Sequence, residues 1–131
     1  VYIDPAGYSN KSLLNQYANG YDTKPTNTNK VLINVFNYSP DWKISVTENG
    51  TELAVTQVAV RDPLHTLSYN CQRVAKGATP TSSFTTETVA HMFSVTASSP
   101  TSTLTIKVTD SNGTVYTEQM HRPKQFSLTM K

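Results

Sequence analysis

Cysteine is nearly absent from this sequence: Cys71 stands alone among 131 residues, so no disulfide can close within the chain. A lone Cys is more often a small buried hydrophobe than a nucleophile, and it leaves the redox compartment open. Glycine is scarce too. The 5 glycines are dispersed and build no phosphate-cradling loop, and no Gly-x-Ser-x-Gly elbow presents a serine nucleophile. Charged residues make up only 15% of the chain, and 11 basic against 9 acidic residues leave a formal charge of +2. The longest basic stretch is the isolated Arg122-Pro123-Lys124, which speaks against nucleic acid and against an anionic membrane as partners. No apolar run approaches the ~20 residues of a membrane span, and no secretory signal is present. The chain starts at Val1-Tyr2-Ile3 without a methionine, so the expectation is a removed leader or a segment of a longer protein.

The 3 histidines, His65, His91 and His121, are far apart, and none sits in a spacing that aims two ligands at one ion. His91 shares a strand face with Val89 and Phe93, which makes it a hydrogen-bonded core histidine in expectation. No residue is assigned a catalytic, cofactor-binding or metal-ligating role, and no cofactor is expected in this chain.

What the chain has in quantity is serine, threonine, asparagine and β-branched residues, the composition of strands and turns. Residues 1–30 read as an irregular lead-in, with Tyr2, Tyr8, Tyr17 and Tyr21 among polar clusters and one or two helical turns over Ser12–Tyr17, ended by Asn19-Gly20. Residues 31–131 read as the β-sandwich domain. Val31–Asn37 is almost continuously apolar, as in a central strand. Trp42, Ile44 and Val46 alternate with polar neighbours, and Leu53 and Val55 continue on the return. The parity breaks at Gln57, predicting a β-bulge or bend near Thr56-Gln57. Further strands follow at Val89–Val95, Leu104–Val108, Val115–Met120 and Gln125–Met130, with a weaker candidate at Leu67–Cys71 and a long connection over Arg73–Ser83. The sum is an all-β, immunoglobulin/fibronectin-III-like antiparallel sandwich of seven to eight strands.

Two Asn-Gly dipeptides fix the register further. Glu48-Asn49-Gly50-Thr51 as a two-residue type I′ turn pairs Val46 with Leu53 and Ile44 with Val55, apolar against apolar. At Ser111-Asn112-Gly113 the same loop length would set Val108 against Thr117 and Ile106 against Gln119. A three-residue loop with Gly113 left-handed instead pairs Val108 with Tyr116 and Leu104 with Met120, leaving Ile106 against Glu118. The same dipeptide is therefore expected to make two different turns. Asn10, Asn37, Asn49 and Asn112 also match the glycosylation pattern, but two of these are turn residues. By its parity Trp42 belongs on the buried face, as core and not as an exposed binding platform.

Asn37-Tyr38-Ser39-Pro40-Asp41-Trp42-Lys43-Ile44 after an apolar strand, Glu48-Asn49-Gly50, Asp62-Pro63-Leu64, Thr88–Phe93 and Thr109–Glu118 occur in one order over roughly residues 31–124. In that order they resemble the C-terminal β-sandwich domain of bacterial calcineurin-like metallophosphoesterases, of the kind found in Bacteroidetes. The resemblance implies a non-catalytic accessory domain of an exported enzyme, periplasmic or at the cell surface. Its partner would be an upstream catalytic domain of the same polypeptide, whose two metals are held by Asp-x-His, Gly-Asp, Gly-Asn-His and Gly-His-x-His motifs. None of these motifs occurs here, so no catalytic residue carries over. The expected contact surface is Val1–Tyr21 with the Asp62-Pro63-Leu64-His65 loop. The alternatives are a stand-alone cell-surface or carbohydrate-binding sandwich using Tyr8, Tyr17, Tyr21 or Tyr38, and, less favoured, a small hydrolase.

Overall fold

The computed structural model describes residues 29–62, 65, 69, 70, 72, 73, 76–79, 81 and 88–122. Their regular elements are seven strands: β1 Lys30–Asn34, β2 Lys43–Glu48, β3 Thr51–Leu53, β4 Thr56–Val60, β5 Val89–Thr96, β6 Leu104–Thr109 and β7 Val115–Met120. They form two antiparallel sheets in the orders β1-β5-β4 and β3-β2-β6-β7. The pairing of β2 with β6, past three intervening strands, is the Greek-key crossover of an immunoglobulin-like sandwich. The expected final strand at Gln125–Met130 and the helical turns at Ser12–Tyr17 lie outside the described residues.

Alternation builds the core. Val31, Ile33 and Val35 come from β1 and its continuation, and Phe93 and Val95 from β5. Val46, Leu104, Ile106 and Met120 answer them from the other sheet. Leu104, Val31 and Val46 are completely buried, a state in which each such side chain contributes about 1.5–3 kcal/mol. Met92 and Ser94, on the opposite face of β5, are buried as well, so this strand is covered on both sides.

Both hairpins take the expected turns. In the first, Asn49 (φ 51°) and Gly50 (φ 81°) are both left-handed, and Val46 pairs with Leu53 and Glu48 with Thr51. The ladder stops at Val46–Leu53, before the expected Ile44–Val55 pair is reached. In the second, Val108 pairs with Tyr116, Ile106 with Glu118 and Leu104 with Met120. Here Gly113 alone is left-handed (φ 81°), and Gly113 N–H donates to Asp110 C=O at 3.0 Å. The residue that precedes each loop, Glu48 in the first and Asp110 in the second, separates the two turns. The short Asp110 carboxylate accepts from the N–H groups of Asn112 and Thr114, each at 2.9 Å, and wraps the wider loop around itself. Glu48 turns away from its own turn and accepts elsewhere.

Three expectations need correction. The parity break after Leu53 is a change of sheet and not a bulge at Thr56-Gln57. β3 pairs with β2, whereas β4 pairs with β5 in the facing sheet. Crossing the sandwich at Ala54-Val55 reverses which side is inward, and the register irregularity lies further on, between Val58 and Val60. The first strand also ends earlier than Asn37, because Asn37 is left-handed (φ 57°) and Tyr38 N–H closes a turn onto Val35 C=O at 3.2 Å. The third concerns Leu67–Cys71, where Tyr69 and Asn70 have helical backbone, as do Gln72 and Arg73, in place of a strand. Left-handed Gly77 (φ 75°) and the bond from Ala78 N–H to Arg73 C=O at 2.9 Å form the Schellman cap that ends this helical stretch. Asn70 is fully buried and accepts from Thr81 N–H at 2.7 Å.

One end of the sandwich is closed by charge. Glu48, at the end of β2, is 6% exposed and receives Ser98 N–H on both carboxylate oxygens at 3.2 and 3.0 Å, together with the Ser102 hydroxyl. Arg122, just past β7, lies 3.7 Å from it. Its Nε donates to Ser102 C=O at 2.8 Å and its Nη2 to Ser99 C=O at 2.7 Å. Two charged side chains thus pin the loop between β5 and β6 to the end of β2 and to the residues just past β7 in the four-stranded sheet. The Ser102 hydroxyl first, then Ser98 N–H and the guanidinium, hold the Glu48 carboxyl below its ordinary value of 4.5 against the opposing effect of burial. The unfolded chain therefore binds a proton here more readily than the folded one. The stabilisation is complete above pH 4.5 and is lost as pH falls through the lowered native value. Thermal melts from pH 7 to 3 are expected to show a flat plateau and then an acid decline, and Glu48→Gln is expected to make that decline shallower.

Candidate functional site

At the other end the sandwich is open. Here Asn34, Val35 and Phe36 leave β1, Trp42 enters β2, and β6 turns into β7. Between the sheets lies a groove of about 390 Å³, with Ile33, Val35, Ile106 and Val108 as its floor and Phe36, Trp42 and Tyr116 as its aromatic walls. Position dictates this exposure. Tyr116 and Glu118 occupy the inward face of β7 by register with Val108 and Ile106, yet both are exposed. Phe36 is 73% exposed because the left-handed Asn37 turns the chain out of β1.

The walls are held by polar contacts. Trp42 packs partly buried against the core, as its parity predicts, and its Nε1 donates to Ser111 Oγ at 3.1 Å. The Tyr116 hydroxyl donates to Asp110 Oδ2 at 3.4 Å. On the first sheet, Asn34 Nδ2 donates to Asp62 Oδ2 at 2.7 Å and Asn34 Oδ1 meets His91 Nδ1 at 2.6 Å, while the Phe36 ring tilts over His91 at 6.1 Å. His91 is hydrogen-bonded as expected, though half-buried. Among the described residues Glu118 is the one charged group in the groove lining. At the rim, the Ser111 and Ser39 hydroxyls hold the Asp41 carboxyl below its ordinary value, and Thr114 N–H, then Asn112 N–H, do the same for Asp110.

Other expected groups are scattered. His121 meets Thr103 Oγ1 at 3.2 Å at the Glu48 end, away from His91, and His65 is exposed. Among the described residues no three His, Cys, Asp or Glu side chains gather as a metal site would require, and no helix is long and apolar enough to cross a membrane. Of the tyrosines weighed as a sugar platform, Tyr38 packs edge-on against Phe93 at 4.9 Å, and Tyr8, Tyr17 and Tyr21 lie outside the described residues. Of the expected contact loop, Asp62 joins the groove network, Pro63 and Leu64 lie outside the described residues, and so does Val1–Tyr21. Nothing in the residue pattern marks Phe36 as exposed, since its apolar run reads as buried strand.

The family model for the C terminal of calcineurin-like phosphoesterase matches residues 1–116. No curated protein and no solved structure matches the chain.

Proposed function

The chain belongs to the family of C-terminal domains of calcineurin-like phosphoesterases, and from that premise we propose that it is a non-catalytic accessory domain. In this reading it packs on, or shapes, an upstream metal-dependent phosphohydrolase domain of the same polypeptide. The observation that carries it is the family match over residues 1–116, in a sequence without one of the motifs that hold the catalytic metals. Metal-assisted phosphoester hydrolysis needs ions that activate a water and hold the phosphate oxygens, so the chemistry belongs upstream and this chain needs no cofactor. The parent would be an exported enzyme of the Bacteroidetes kind, working in the periplasm or at the cell surface.

The carbohydrate-binding alternative draws no support from Tyr38, whose ring is spent on packing. The test is the parent polypeptide. Its sequence ahead of Val1 is expected to carry the Asp-x-His, Gly-Asp, Gly-Asn-His and Gly-His-x-His motifs. A signal peptide directly ahead of Val1, with no such domain between, overturns the reading.

A further inference from the structure

We infer that the aromatic groove at the Phe36 end is the docking face for the phosphoesterase domain of the same polypeptide, which enters it with an apolar side chain flanked by lysine or arginine. This rests on the accessory-domain reading above and names the surface that serves it.

The groove is where the hydrophobic core reaches the surface. Ile33, Val35, Ile106 and Val108 line its floor, and Phe36 and Tyr116, 73% and 57% exposed, are two of only three large hydrophobics that stand out among the described residues. Clustered aromatic exposure over an apolar floor marks a binding surface more than chance does. Its volume of about 390 Å³ suits one or two inserted side chains and not a flat contact. The walls are ordered in advance, Trp42 by Ser111 and Tyr116 by Asp110, so little side-chain freedom remains to be lost on binding.

Charge selects the occupant. Among the described residues Glu118 is the only ionic group in the lining and no lysine or arginine lines the groove, while the Asp41 and Asp110 carboxyls, both held below their ordinary values, stand at the rim. A second copy placed groove to groove would set carboxylate against carboxylate, whereas a partner presenting cations around an apolar tip meets both demands. Reach is sufficient. The 28 residues before Asn29 span at most roughly 90 Å, against about 17 Å for the length of β1 that separates Asn29 from the groove.

The test places a photo-crosslinking amino acid at Phe36 or Tyr116 of the full-length parent, with Thr51, exposed on β3, as the control, and maps the products by mass spectrometry. Crosslinks from positions 36 and 116, but not 51, to the phosphoesterase domain are expected, and Glu118→Lys is expected to cut their yield by about tenfold. Crosslinks only to residues 1–28 or 123–131, only to a second copy, or none at all overturn the inference, as does a yield indifferent to Glu118→Lys. Metal-dependent hydrolysis measured on the same samples separates the two failures. An active parent without these crosslinks refutes the docking face alone, whereas a parent with no hydrolytic upstream domain refutes the accessory reading itself.

Discussion

Glu48→Ala is expected to destabilise the domain by about 3–5 kcal/mol, because it removes the carboxylate that stands 3.7 Å from a buried guanidinium. The Arg122 side chain is buried under the loop between β5 and β6, and the bonds to Ser99 and Ser102 are to neutral groups that cannot balance its charge. In a domain of this size the loss corresponds to a fall in Tm of roughly 10–20 °C. Arg122→Ala leaves the Glu48 carboxylate buried and should cost a similar amount. Replacing both together, Glu48→Met with Arg122→Met, is expected to recover much of the loss, since a well-packed apolar pair carries no desolvation cost. A double variant no more stable than Glu48→Ala would show that the bonds to the loop, and not the charge pair, do the closing.

The second large effect is in the core. Leu104→Ala is expected to cost about 2–5 kcal/mol, combining lost transfer energy with the cavity left between sheets. Leu104 is completely buried, pairs with Glu48 on one side and Met120 on the other, and so ties the apolar core to the charged closure. Phe36→Ala is expected to change stability by no more than about 0.5 kcal/mol, because the ring is mostly in water. Chemical denaturation of both variants checks the contrast. A large loss on Phe36→Ala would make that ring part of the core and remove it as a docking element.

How far such features can be read from residues alone depends on their range. The two hairpins were legible because an Asn-Gly turn admits few loop lengths and only one in each case sets apolar against apolar. Even the mismatch of Ile106 with Glu118 is present, and it is the inward Glu118 that later lines the groove. The change of sheet after Leu53 is not legible in the sequence, because a bulge and a crossing both shift parity by one residue. The charged closure of Glu48 and Arg122 is not legible, since nothing local shows that a serine-rich loop folds over them. Phe36 failed for the opposite reason: an apolar run predicts burial, and only the left-handed Asn37 turns it outward. The parity of Trp42 with Ile44 and Val46 does give its face, and there it both packs against the core and lines the groove.

The central claim, that this domain carries no phosphoesterase chemistry of its own, is tested most directly by assaying the isolated chain on a phosphoester with added divalent metals, beside the parent polypeptide. The account predicts metal-dependent turnover by the parent and none by the isolated chain. Turnover by the isolated chain that vanishes on His65→Ala or His91→Ala would contradict it.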